Sequence, residues 1–241
     1  MLQDILLASN DSFVSMIEVF DKQCLLTVNG SDSLFIDRVV VTLTTAATWI
    51  PLYISLFYIV LKNNDSLQKV LYILTCAGLC VLLAGAVDDM LVKPTVARWR
   101  PARDPEIGLL VDIVDGYRGG KYGFFSAHAS NTFSIAIFFC WLVRSRLLSL
   151  SLIIWSLTNC WTRMYLGVHF PGDIVVGLTW GSIVGSVVYY LYYRLTRHMA
   201  SSRHYTTSKY TVTGYERPDC EIPVAILVFT LLYAFIKSCI V

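Results

Sequence analysis

The stretch "LQKVLYILTCAGLCVLLAGAV", Leu67 to Val87, holds a single charged residue, Lys69. An unbroken apolar run of about 20 residues is the length an α-helix needs to cross the hydrocarbon core of a bilayer. In that setting every backbone polar group must be satisfied internally, and a helix does this. Outward from this run the same pattern recurs at Val39–Leu61, about Ala129–Val143, about Leu147–Trp161, Ile174–Leu195 and Pro223–Val241. The third and fourth runs are short, which fits helices whose ends are buried in protein. The sequence therefore predicts an all-α, polytopic membrane bundle of six transmembrane helices.

Composition agrees. The chain has 241 residues, 56% of them hydrophobic and 15% charged, with a mean hydropathy of +0.60. This is too apolar for an ordinary soluble domain. A formal net charge of +2, with the basic residues scattered between apolar runs, speaks against a nucleic-acid partner. The seven cysteines are odd in number, lie mostly inside apolar runs and lack metal-site spacing, so they read as small hydrophobes. The N-terminus lacks a basic segment followed by an uninterrupted apolar core, and no cleaved signal peptide is expected. Residues 1–33 instead interleave apolar with acidic and polar positions at helical spacing. They predict an interfacial amphipathic helix, with residues 34–241 forming the six-span domain.

Six spans put the 2–3 and 4–5 connections on the side of both termini. Three polar clusters then meet at one membrane surface. The first is "KPTVARWRP", Lys93 to Pro101, where a helix would place Lys93 and Arg100 on roughly one face. The second is "FSAHASN", Phe125 to Asn131, opening the third span, and the third is "TRMYLGVHFPGD", Thr162 to Asp173, between the fourth and fifth. Active-site loops are accordingly expected at 93–128 and 162–173. Ionisable groups at a membrane edge are costly and by default signal function.

The chemistry of these groups is specific. Lys93, Arg100 and Arg163 call for a multiply charged anion. Arginine forks match phosphate oxygens, and the Ser126 hydroxyl with the backbone N–H groups around Ala127 can complete the cradle. Two histidines then have separable tasks. His169 can attack phosphorus if Asp173, four residues on and carried back by a helix starting at Pro171, fixes its tautomer. His128 can protonate the leaving oxygen and later activate water. No metal and no cofactor are required, because the cations already neutralise the equatorial oxygens.

Taken together, the clusters resemble the three signature motifs of the type-2 phosphatidic acid phosphatase family, membrane relatives of the vanadium haloperoxidases. Lys93, Arg100 and Pro101 match the first motif. Phe125, Ser126, Ala127 and His128 stand where the family has Pro-Ser-Gly-His, and Thr162, Arg163, His169 and Asp173 match the third with Thr for Ser. The resemblance implies a helical membrane core with His169 as nucleophile, His128 as acid and base, and Asp173 as orienter. It also implies Lys93, Arg100, Ser126, Ala127 and Arg163 as phosphate binders. Neither departure in the second motif removes a chemical group.

Other polar residues carry blander readings. Asp89 is spaced to pair with Lys93, and a structural role is expected for it and for Asp88. His198 and His204 read as surface residues of the opposite loop. Arg98, Arg103, Arg118 and Lys121 either attract an anionic headgroup or solubilise the loop. Discounting the site cations, the basic residues favour the other side as cytoplasmic. This predicts an inner-membrane protein whose site faces the periplasm or exterior. The expected substrate is an envelope lipid phosphate at the bilayer surface: undecaprenyl pyrophosphate, slightly ahead of lipid A, or phosphatidylglycerol phosphate or phosphatidic acid. A non-catalytic lipid-binding or transport protein is the alternative, but it would have no use for both histidines and Asp173. A soluble-type haloperoxidase is opposed by the six spans.

Overall fold

A computed structural model describes residues 2–197 and 208–240. Regular structure among them is helical, apart from two isolated β-bridges, Trp99 with Tyr122 and Tyr210 with Glu216. The helices are α1 (Leu2–Val28), α2 (Leu34–Thr44), α3 (Ile50–Lys62), α4 (Leu67–Val87), α5 (Lys93–Val96), α6 (Ala127–Val143), α7 (Arg146–Tyr165), α8 (Pro171–Thr196) and α9 (Arg217–Ile240). His198 and His204 lie outside the described residues.

By length and composition, three helical stretches are long and apolar enough to cross a membrane: Leu67–Val96, Pro171–Thr196 and Arg217–Ile240. A fourth results if α2 and α3 count as one bent span. Helix α6 is apolar but only 17 residues long. Large apolar side chains stay exposed along these rods, among them Ile54, Leu71, Leu82, Val187, Phe229 and Ile236. Water would not tolerate such a surface and a bilayer would; the chain is a membrane protein.

The first expected span is not one straight helix. α2 breaks at Thr45 and meets the stretch Ala46–Lys62, a turn of 3-10 helix (Ala46–Trp49) running into α3, at 68°. Thr45 leaves the helical conformation, and Pro51 sits in the first turn of α3, where its missing N–H costs nothing. The carbonyls freed at the end of α2 find side-chain donors: Thr48 Oγ1 to Thr42 O at 2.6 Å and Trp49 Nε1 to Leu43 O at 2.8 Å.

A second departure concerns Lys93 and Arg100. α4 continues through a widened π-helical turn, Asp88–Val92, into α5, and then stops. Ala97 adopts the left-handed conformation and its N–H caps Lys93 O at 3.0 Å. Pro101 disfavours helical backbone at the residue before it, and Arg100 is extended (φ −73, ψ 152). No single helix carries both cations, so Arg100 reaches the site from a loop.

The contact that sets the site is between α6 and α8. Gly177, Gly181 and Gly185 make a stripe at i, i+4, i+8 on α8. A Cβ on them would lie 2.8, 2.6 and 2.5 Å from the carbonyl oxygens of Ser126, Ser130 and Ser134 on α6. Small residues at this spacing allow backbone-to-backbone approach in the manner of membrane helix pairs. The stripe begins at Ser126, which caps α6, so the second and third clusters are drawn together by packing. α1 is not a free appendage: Asp21, Lys22 and Leu25 on it are buried, and Leu25 packs with Ala102, Ile107, Val111 and Phe170.

Candidate active site

His169 lies in the short link between α7 and α8 and is 1% exposed. Phe170 is the N-cap of α8 and Pro171 opens its first turn. Asp173, in that first turn, folds its carboxylate back: Oδ2 accepts the Phe170 N–H at 3.0 Å and stands 3.5 Å from His169 Nδ1. The imidazole thus turns Nδ1 to the carboxylate, and Nε2 faces Arg100, whose Nη1 is 3.4 Å away. Burial pushes the His169 ring down to about 4, with the Arg100 and Arg163 charges acting in the same direction and Asp173 opposing them. The ring is therefore neutral near pH 7, as a nucleophile must be.

Besides its contact with His169, Arg100 is held by backbone carbonyls: Nε donates to Tyr122 O at 3.0 Å and Nη1 to Val168 O at 3.3 Å. Arg163, 3% exposed, donates to Thr44 Oγ1 at 2.6 Å and to Tyr117 OH at 3.2 Å, while its Nε has no hydrogen-bond partner. Among the described residues neither arginine forms an ion pair. Burial, reinforced by Arg163, lowers the Arg100 pKa. The Tyr117 hydroxyl is raised by burial, but its hydrogen bond from Arg163 and the two arginine charges outweigh that and leave it lowered. A buried guanidinium group, that of Arg163, and a half-buried one, that of Arg100, both without anionic partners, leave room for a strongly charged anion.

Lys93 differs, since it already holds two carboxylates, Asp88 at 2.8 Å and Asp89 at 2.5 Å. The Asp89 pairing is the one the i, i+4 spacing indicates. Asp88 is fully buried and also accepts the Phe125 N–H at 3.0 Å, tying the end of α4 to the start of the second cluster. Ser126 is fully buried; its Oγ accepts the Ala129 N–H at 3.4 Å and its own N–H donates to Asp173 O at 3.2 Å. Ala127 follows in the first turn of α6, where backbone N–H groups have no intrahelical acceptor. His128, on the next position, is exposed, and its electrostatic neighbours are Arg163, His169, Arg100 and Lys93. All eight residues expected at the site are thus carried by segments that converge on the same end of the bundle.

Two contributors, Thr44 and Tyr117, escaped the sequence reading, and Asp88 and Arg98 were recognised there without their partners. Thr44 and Tyr117 hold Arg163, Asp88 holds Lys93, and Arg98 donates to the other oxygen of Asp173 at 2.8 Å. Arg98 also binds Asp21 of α1 at 2.6 Å and lies 4.3 Å over the Phe170 ring. It serves the carboxylate, and neither of its two expected roles accounts for that. Its place in the first cluster was the only available signal, since Asp21 is 77 residues away.

The profile of the PAP2 superfamily matches residues 69–197, more than half of the chain, and spans all three clusters. The chain belongs to the PAP2 superfamily. Among its PAP2 relatives, the lipid A 4′-phosphatase of Bacteroides thetaiotaomicron is 39% identical over 190 residues, covering 78% of this chain and 84% of that protein. The lipid A 4′-phosphatase of Porphyromonas gingivalis is 34% identical over 185 residues, 76% and 77% of the two chains. The decaprenylphosphoryl-5-phosphoribose phosphatase of Mycobacterium tuberculosis is 34% identical over 113 residues, 46% of this chain and 57% of that one. No solved structure gives a match. This PAP2 protein is a membrane-embedded phosphatase of the lipid phosphatase type.

Proposed function

We propose that the chain hydrolyses a phosphate ester of lipid A, by a metal-free route through a phosphohistidine on His169. Similarity to two lipid A 4′-phosphatases over three quarters of the chain supports this substrate, and moves lipid A ahead of undecaprenyl pyrophosphate. The observation that carries the mechanism is the orientation of His169, with Nδ1 towards Asp173 and Nε2 towards Arg100.

In this reading the phosphate enters between Arg100, Arg163, Lys93 and the first turn of α6, where Ser126 and the Ala127 N–H add donors. His169 Nε2 attacks phosphorus. The bond from phosphorus to the lipid oxygen breaks as His128 gives that oxygen its proton. Asp173 accepts from Nδ1–H and stabilises the charge the ring acquires. His128, now neutral, takes a proton from water; the water oxygen attacks phosphorus, the P–N bond breaks, and inorganic phosphate and free His169 result. The six helical rods α2–α3, α4, α6, α7, α8 and α9 act as six passes, with the site at the periplasmic or outer face of the inner membrane.

The test is phosphate release by purified protein in detergent with excess EDTA, across lipid A, undecaprenyl pyrophosphate, phosphatidylglycerol phosphate and phosphatidic acid, beside His169→Ala. Release from lipid A that is lost in the variant is expected. Release from another lipid alone would replace the substrate, and binding without release would favour a lipid-binding protein.

A further inference from the structure

Asp21 is a buried carboxylate that the proposed reaction does not use, and it reaches the nucleophile through two links. Its Oδ2 accepts from Arg98 Nη2 at 2.6 Å, and its Oδ1 accepts the Gly172 N–H at 2.7 Å, at the start of α8. Arg98 Nη1 donates to Asp173 Oδ1 at 2.8 Å, leaving Oδ2 for Phe170 N–H and His169 Nδ1. Gly172 is part of the arrangement, since a Cβ there would stand 2.9 Å from Asp21 Oδ2. We infer that Asp21, on the N-terminal helix, is a positioning residue of the catalytic centre, acting through Arg98 to keep Asp173 oriented and its negative charge uncancelled. This inference rests on the reading of His169 and Asp173 given above.

The physical argument is one of charge and aim. Alone, Arg98 would pair with Asp173 and largely neutralise the carboxylate that has to support a cationic ring. With Asp21 on its other edge, the Asp21–Arg98–Asp173 trio carries one net negative charge, and that charge faces His169. The ring's other charged and titratable neighbours are Arg100 from the loop before α6, Arg163 from α7 and His128 from the first turn of α6. The two arginines are cationic, and the trio is what opposes them. The forked guanidinium also fixes the rotation of the Asp173 carboxylate, because each of its two edges meets a carboxylate oxygen in charge-assisted geometry. The N-terminal helix is thereby part of the catalytic apparatus.

Asp21→Asn keeps the shape and removes the charge. Lys22→Gln is the control: Lys22 anchors the same helix through Glu106 at 2.7 Å and Asp104 at 3.9 Å, but does not touch the trio. Asp21→Asn is expected to lower kcat about 10–100-fold, the scale seen when a group behind a directly acting ligand is removed, with KM changed less than about 3-fold. Lys22→Gln is expected to lose about as much thermal stability while its kcat stays within about 3-fold. Equal kcat in Asp21→Asn and wild type, or equal losses in both variants, would overturn the inference. A second readout needs no substrate. In histidine-labelled protein, the His169 ring should resist protonation to lower pH in Asp21→Asn than in wild type. An unchanged or raised titration would refute the role of the charge even if no lipid on the panel were hydrolysed, an outcome that by itself would count against the phosphatase reading alone.

Discussion

Gly181 on α8 meets Ser130 on α6 backbone to backbone, so closely that a Cβ on the glycine would lie 2.6 Å from the serine carbonyl oxygen. A carbonyl inside a helix cannot step aside as a flexible side chain can. Gly181→Leu is therefore expected to cost about 1–3 kcal/mol, as overpacking does, and to lower kcat by moving the turn that carries Ser126 and His128. Gly78 on α4 is the contrast, with nothing within 4 Å of its added Cβ. Gly78→Ala should be neutral or stabilising by up to about 1 kcal/mol from helix propensity alone. Thermal unfolding in detergent separates the two.

The division of labour around His169 predicts graded losses. His169→Ala should abolish turnover and prevent any acid-labile phosphoprotein from forming with labelled substrate. Asp173→Asn should retain binding and lose about 10⁴ in kcat, the cost of a wrong tautomer in comparable triads. Its carboxylate accepts from Phe170 N–H and Arg98 as well, so a mild stability loss should accompany the change.

Arg100→Gln and Arg163→Gln should each lower kcat about 10²–10³-fold, the range for removing one donor from a developing negative charge. Arg163→Lys should not rescue, because a point charge cannot reach Thr44 and Tyr117 and still present a fork to phosphate. Thr44→Val should weaken substrate binding without touching the reacting atoms.

The His169 pKa near 4 sets a pH dependence. It lies below the ordinary value near 6.5, so between about pH 6.5 and 4 the unfolded chain binds a proton that the folded protein does not. The stabilisation is full above 6.5 and is lost as pH falls through 4. Acid should therefore lower the melting temperature in that window, and His169→Phe should reduce the response, the remainder coming from His128, which desolvation of its ring and the neighbouring cations push down to about 3. A His169 ring titrating at 6.5 in labelled protein would contradict this.

Turnover should survive excess EDTA, since guanidinium and ammonium groups do the neutralising that a metal would otherwise supply. Loss of activity on chelation, restored by a divalent cation, would show that a metal takes part.

Much of this was legible because the site's own segments are local. His169, Pro171 and Asp173 are close in sequence, and the geometry of a helix start brings the carboxylate back to the ring. The apolar run from Leu67 to Val87 coincides with α4 in both bounds. What periodicity could not show depends on distant partners or on single-residue backbone choices. The bend after Thr44 is made by a threonine and an indole capping carbonyls, with no glycine to announce it. The end of α5 rests on a left-handed Ala97, a conformation that alanine rarely adopts. Arg98 could be seen as a cation, but the Asp21 beside it is supplied by folding alone. The glycine stripe on α8 was in plain view, and only its neighbour α6 gives it meaning.

Arg100 and Arg163 are braced by carbonyls, a hydroxyl and a phenol, all of them neutral. A cradle built this way does not distinguish a phosphate still attached to lipid from one already severed. Inorganic phosphate should thus be a competitive inhibitor and a thermal stabiliser, most strongly at low ionic strength. As the ester bond to the lipid becomes easier to break, departure of the freed anion should come to limit turnover.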